Sequence, residues 1–167
     1  MNVSQIKVRP AILEDADALN RVIEAAVMTW QLPERVKRLS LPSYRYNELD
    51  FGHLQVVVAM GAKDQVLGVA AWEPAETRDC PAGKTGLLLH GLYVDPAAQH
   101  QGIGTALLDT ALEAVREAGV DGLLVKAQAD AVGFFLGRGM HPLPVEDHAR
   151  HYANRLWMPV YQDSETR

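Results

Sequence analysis

A chain of 167 residues fits one domain and can bury roughly two-thirds of its unfolded surface. Its apolar and charged fractions, 48% and 22%, are those of an ordinary soluble globular protein, and a net charge of -5 argues against nucleic acid as the main partner, since phosphate binding needs a dense basic face. The single cysteine, Cys80, excludes an intramolecular disulfide, has no metal-ligand spacing around it, and reads as an incidental loop thiol of a reducing compartment.

The N-terminal MNVSQIKVRP lacks the apolar core of a signal peptide, and no apolar run approaches membrane-spanning length, so a cytoplasmic protein with no membrane partner is expected. Ile6 to Val8 alternates with polar residues and predicts a short strand closed by Arg9-Pro10. The acidic cluster Glu14, Asp15, Asp17 suits a helix N-terminus, and Leu19, Val22, Ile23, Ala26, Val27 and Trp30 follow at helical spacing. Pro33-Glu34 can start a short second helix carrying Val36 and Leu39. The segment LPSYRYNELDFGH is loop-like but rich in aromatic and charged residues, fitting either a substrate-pocket wall or a surface connection packed by Tyr44, Tyr46 and Phe51.

Gln55 to Met60 and Val66 to Trp72 flank the turn Gly61-Ala62-Lys63-Asp64 and predict a hairpin. A polar loop, Glu73 to Gly86, leads to a central strand, Leu87 to Val94. Ile103 to Ala118 is a helix with an apolar stripe at Leu107, Leu108, Ala111, Leu112 and Val115, stopped by Gly119. Gly122 to Ala127 predicts a strand, Asp130 to Leu136 a short helix ended by Gly137-Arg138-Gly139, and Arg155 to Val160 a last strand. The order β-α-α-β-β-β-α-β-α-β describes one α/β or α+β sheet covered by helices.

Between the central strand and the long helix lies Gln99-x-x-Gly102-x-Gly104. A dinucleotide fingerprint would want another small residue three positions after Gly104, where Leu107 stands, and a P-loop would want Lys-Ser or Lys-Thr after its last Gly. Neither fits. A Gly-x-Gly turn opening a helix still offers free backbone amides to an anion.

This stretch resembles the signature of the GNAT superfamily of acyl-CoA-dependent N-acyltransferases: Gln or Arg, two residues, Gly, one residue, then Gly or Ala. LYVDP before it, GIGTALLDTALEAVREAG after it, VKAQADAVGFFLGRGM further on, and the acidic first helix of RPAILEDADAL extend the resemblance over nearly the whole chain. It implies a single N-acetyltransferase domain over residues 1–167, with a mixed central sheet of six to seven strands and about four helices on both faces. Acetyl-CoA or coenzyme A is the implied co-substrate, a small-molecule or protein amine the acceptor, and a homodimer is admitted because dimers are common among relatives.

The amides of Gln101, Gly102, Ile103, Gly104, Thr105 and Ala106 would then bind the cofactor pyrophosphate, with side-chain donors from Gln99 and His100. By the family's pattern the pantetheine arm pairs with Leu92, Tyr93 and Val94 as an added strand, a bulge near Gly91 opens that strand, and the Leu92 N–H meets the oxyanion. Tyr93 alternates to the face opposite Leu92 and Val94, which favours a structural role for its side chain. Asp130, replacing a polar residue that contacts the cofactor in relatives, and Phe134 complete the implied cofactor set; an N-cap competes as an explanation of Asp130.

The chain departs from the pattern at Phe134-Phe135, where many relatives read Phe-Tyr and use the Tyr hydroxyl to assist the leaving sulfur. Glu73 and His90 are the candidate bases, against a solvated carboxylate and a packed strand histidine respectively. A non-catalytic acyl-CoA-binding module is therefore the alternative function, and a nucleotide-binding use of the same loop a third. The neighbourhood of Glu146, Asp147, His148 and His151 has no second ligand pair at recognisable spacing, so no metal is expected.

Overall fold

A computed structural model describes residues 6–146 and 154–161. The strands are β1 (Lys7–Pro10), β2 (Gln55–Met60), β3 (Val66–Pro74), β4 (Gly86–Val94), β5 (Gly122–Lys126), β6 (His141–Pro142) and β7 (Arg155–Pro159). The α-helices are α1 (Ala16–Val27), α2 (Glu34–Tyr44), α3 (Glu48–His53), α4 (Ile103–Ala118) and α5 (Val132–Gly137). The mixed sheet runs β1-β2-β3-β4-β5-β7-β6, with β4 and β5 parallel and the β1–β2, β5–β7 and β6–β7 pairs antiparallel. This is the expected α/β architecture, with five α-helices among the described residues where about four were expected.

The chain forms two compact units. One takes in the described residues up to Ala71 together with Gly91–Thr110; the other takes in Trp72–His90 and the described residues from Ala111 onward.

In the first unit α1 buries Leu19, Val22, Ile23 and Val27, the face its spacing predicts, against Val56, Val58, Val69 and Ala71 of the hairpin strands. Its entry is held by Asp15. That carboxylate accepts the Ile12 N–H at 2.8 Å and both Nη groups of Arg9 at 2.8 and 2.9 Å. Its exit is held by Lys37 of α2, whose buried Nζ donates to Met28 O at 2.8 Å and Trp30 O at 3.3 Å, a cation on the negative end of α1. Trp30 itself lies past the helix.

The segment after α1 corrects the expectation most. α2 is longer than the short helix predicted and contains Pro42; it buries Lys37 and Leu41, while Val36 and Leu39 are exposed. The polar residues that make it look like a loop satisfy it instead: Ser40 Oγ donates to Val36 O and Ser43 Oγ to Ser40 O. Where a loop was expected to continue, α3 starts at an Asn47–Asp50 capping box, Asn47 Oδ1 accepting the Asp50 N–H and Asp50 Oδ2 accepting the Asn47 N–H. Tyr46, just before that cap, is buried, and its backbone is clamped by Asn20 of α1 in both directions at 2.8 Å.

In the second unit β5 pairs with β4 from Gly86↔Gly122 to Leu89↔Val125, and with β7 from Gly122↔Pro159 to Lys126↔Arg155. Leu124 and Trp157 stack on one face with Leu88, Leu143 and Cys80. Cys80 is thus a buried core thiol and not the incidental loop thiol expected: its Sγ donates to Glu76 O at 3.6 Å, and burial pushes its pKa up. Two further elements depart from expectation. β6 is a two-residue strand on β7, and the helix expected over Asp130 to Leu136 splits into a 3-10 turn, Ala129–Ala131, and α5. That turn is capped by Gln128, whose Oε1 accepts the Asp130 N–H at 2.7 Å, so Asp130 is not itself the N-cap.

Candidate functional site

The Gly-x-Gly stretch is built as a turn that delivers a helix N-terminus. Asp95 ends β4: its N–H donates to Leu67 O at 2.8 Å, and its carboxylate accepts the Ala97 N–H at 2.9 Å, starting the 3-10 turn Pro96–Ala98. The backbone then takes positive φ twice, +65° at His100 and +82° at Gly102. A histidine in that region costs energy that the surroundings must over-determine, and such strain collects at ligand sites. Glycine at 102 adopts it without a Cβ penalty.

The first i→i−4 bond of α4 is Ala106 N–H to Gly102 O at 3.0 Å, so the amides before it stand ahead of the helix ladder with the positive end of the dipole. Ile103 and Leu107 are buried and anchor the helix start. Gln99 and His100 are exposed; Gln101, Gly104, Thr105 and Ala106 are half-buried. The Gln101 side-chain Oε1 is buried and has no hydrogen-bond partner among the described residues. A buried amide oxygen without a donor is costly. One placed in a phosphate-type cradle fits a ligand that brings both anionic oxygens and amide N–H groups, as coenzyme A does.

The strand leading into the cradle carries an extra residue. Ala75 N–H donates to Gly86 O, and Asp95 N–H to Leu67 O; passing from the first bond to the second takes one residue more along β4 than along β3. That is a β-bulge between Gly86 and Asp95, as expected around Gly91. Leu92 and Val94 are half-buried, while Tyr93 is buried with Val69 and Ala71 in the first core, which pushes its phenol pKa up and keeps it protonated. Its side chain is structural, in keeping with its alternate face.

The two candidate bases fall in the second unit. The Ala75–Gly86 bond sets Glu73 opposite Leu88, making it a diagonal neighbour of His90 on the same face. That face also carries Leu124, Lys126, Trp157 and Arg155. Glu73 is half-buried and His90 exposed. Beside them lies a charge cluster that sequence inspection missed, with Asp79 and Arg155 buried and Lys126 exposed. Lys126 Nζ lies 3.1 Å from Asp79 Oδ2, and buried Arg155 donates to Asp79 O at 2.6 Å and Pro144 O at 2.9 Å. No local spacing links positions 79, 126 and 155; only the β5–β7 register brings Lys126 opposite Arg155.

In α5, half-buried Phe134 meets Phe135 edge-on at 5.2 Å, with the Arg138 guanidinium 5.0 Å above its ring. Phe135 is 4% exposed. Asp130 is exposed. Among the described residues no cluster of His, Cys, Asp and Glu has metal-site geometry; Asp147, His148 and His151 lie outside them.

Residues 23–140 match the model of the acetyltransferase (GNAT) family, and the chain belongs to that family. Solved structures of GNAT acetyltransferases share its fold. A GNAT family acetyltransferase from Brucella melitensis, in complex with acetyl-CoA, is 21% identical, with a TM-score of 0.64 over 95% of this chain and 90% of that one. A GCN5-related N-acetyltransferase from Rhodopseudomonas palustris is 21% identical, with a TM-score of 0.71 over 96% and 99%. A mutant of the toxin AtaT, bound to acetyl-CoA and the C-terminus of the antitoxin AtaR, is 24% identical, with a TM-score of 0.60 over 93% of each chain. No curated protein matches the chain.

Proposed function

We propose that this protein is one acetyltransferase domain that moves an acetyl group from acetyl-CoA to a primary amine of a small molecule or a protein. The observation that carries the reading is the cradle: a Gly102 turn at φ +82°, a helix N-terminus ahead of Ala106, and a buried Gln101 oxygen without a donor among the described residues. Amides in that position bind pyrophosphate without basic side chains, which accords with a chain of net charge -5. Leu92 and Val94 supply the strand backbone for the pantetheine arm, and Glu73 or His90, on one sheet face, takes the proton that the acceptor ammonium must lose. No helix among the described residues is long and apolar enough to cross a membrane, and we assign the activity to the cytoplasm.

Phe135 supports a second reading, an acyl-CoA-binding module without turnover, because its buried apolar ring has no proton for a leaving thiolate. A coenzyme A thiol leaves with a pKa near 8.5, so lack of a general acid slows transfer by roughly 10²–10⁴-fold without forbidding it. Free-thiol release from acetyl-CoA across an amine panel, with thermal stabilisation by CoA, ATP and NAD alongside, separates the readings. Stabilisation by CoA alone, with thiol release for at least one amine, is expected, and Gly102→Val should abolish both. Stabilisation without release would leave the binding module; stabilisation by ATP or NAD instead would sink both readings.

A further inference from the structure

We propose that the second unit holds a binding site for a small monocarboxylate with an apolar body, seated against Arg155 in a cavity of about 400 Å³. The inference goes beyond the acetyl-transfer reading and does not depend on it.

Three observations carry it, all within that unit. The first is the state of Arg155. It is 4% exposed; its Nη1 donates to Asp79 O at 2.6 Å and its Nη2 to Pro144 O at 2.9 Å, while its buried Nε has no acceptor among the described residues. A neutral side-chain amide could donate to both carbonyls equally well. A guanidinium adds a positive charge, whose burial is costly unless an anion compensates it. The second is the local balance of charge. The Asp79 carboxylate lies 3.1 Å from Lys126 Nζ, and no carboxylate among the described residues forms an ion pair with Arg155. Asp79, Lys126 and Arg155 are two cations and one anion, so the group lacks one negative charge.

The third is the space beside it. The cavity falls in the range of small-molecule sites, roughly 300–1,000 Å³. Arg155 and Cys80 line it, with Pro81, Leu143 and Pro144 as apolar wall. Pro144 is at once a wall residue and an acceptor of Arg155, and Asp79, the other acceptor, adjoins Cys80 in the chain. The guanidinium is therefore fixed at the cavity by the cavity's own loops. The remaining charges set the ligand class. Arg78 is exposed and already paired with Glu76 at 2.8 Å, and Glu146 is an exposed acid, so Arg155 is the buried cation on offer among the lining residues. One carboxylate matches it through charge-assisted bonds, and a second would meet an acid. The apolar wall takes a hydrocarbon body.

Cys80, the sole cysteine, places a reporter inside the cavity. The probes are butyrate, benzoate and phenylacetate, with their neutral amides, succinate and inorganic phosphate as controls. Each is titrated by calorimetry and by the rate at which a thiol reagent labels Cys80. At least one monocarboxylate should bind saturably, and at about ten times its Kd it should slow labelling about tenfold. Its amide, succinate and phosphate should do neither, and CoA affinity should not change, which separates this site from the amide cradle. Ala82→Trp puts a large ring on the wall from an exposed position and should abolish binding with the melting temperature kept. Arg155→Met should abolish it too. Binding by no probe, equal binding of the amide, succinate or phosphate, labelling unslowed by a bound probe, competition with CoA, or binding that survives in either variant would each overturn the assignment.

Discussion

The two units handle charge in opposite ways. The first offers its proposed ligand backbone: a bulged strand, a turn through His100 and Gly102, and the start of α4, with only half-buried or exposed polar side chains at hand. The second buries Asp79 and Arg155, with exposed Lys126 at the end of β5 setting its Nζ 3.1 Å from the Asp79 carboxylate and Arg155 donating to Asp79 O. An anionic cofactor can be met by amides whose position is set before it arrives. A buried guanidinium must instead be solvated by the protein itself, and here two backbone carbonyls take that role. In the proposed site the first unit would meet its ligand with backbone amides, while in the second a buried guanidinium is met by the fold's own carbonyls.

Arg155→Met should break that contrast most visibly. The apolar chain fills similar volume but leaves Asp79 O and Pro144 O without their donor in a buried setting, where each lost charged bond costs about 1.5–3 kcal/mol. A net loss of about 3 kcal/mol is expected, lowering the melting temperature by roughly 8 °C for a chain of this size, with CoA affinity retained. Arg155 Nε already lacks a partner among the described residues, so part of the loss is offset. A variant with wild-type stability would show that the cluster does not serve the fold.

A smaller effect is expected from Gly91→Ala, and it lands on function. The added methyl would meet Tyr46 Oη and Tyr93 Cε2 at 2.6 Å, against side chains fixed in a core. Overpacking of this kind costs about 1–3 kcal/mol. If the Leu92 N–H meets the oxyanion as proposed, shifting the Gly91–Leu92 peptide should lower kcat by a larger factor than the change in CoA affinity. Denaturant midpoints and the kcat of the same preparation give both numbers, and an unchanged kcat would detach Gly91 from the reaction.

What could be seen in the sequence divides along the same line. The cradle was legible because a Gly-x-Gly turn opening an apolar-striped helix is local: the residues that make it are neighbours, and α4 begins at Ile103 and ends at Ala118 as its stripe implies. The α1 face and both hairpin strands were legible for the same reason. The start of α2 at Glu34 was legible too, but the stretch from Leu41 to His53 was not, because Pro42, Ser43 and Asn47 disguise helices whose backbone groups the serine and asparagine side chains help to satisfy. The signal available there was Asn47-x-x-Asp50, a capping box that would have placed α3 and set Tyr46 at its entrance. The Asp79–Lys126–Arg155 group depends on strand register over long separations, and Cys80 is buried by Leu124 and Trp157, which no spacing within RDCPAG foretells.

The smallest effect should come from the Arg9–Asp15 ion pair of the first unit. Asp15 is mostly buried, accepts two bonds from Arg9 and one from the Ile12 N–H, and is held below the usual carboxylate range, chiefly by the Arg9 hydrogen bonds. Because its folded pKa is depressed, its contribution is fully present above the unfolded value of about 3.9 and is lost as pH falls through the lower folded value. Arg9 is 41% exposed, so solvent screening limits the pair to about 1 kcal/mol. Asp15→Asn should therefore unfold at lower urea than wild type at pH 7, and the gap should narrow once the pH drops below the ordinary carboxylate range. A gap as wide as that of Arg155→Met would mean that this pair matters to the first unit as much as Arg155 does to the second, and one that ignores pH would mean that the Asp15 charge is not its source.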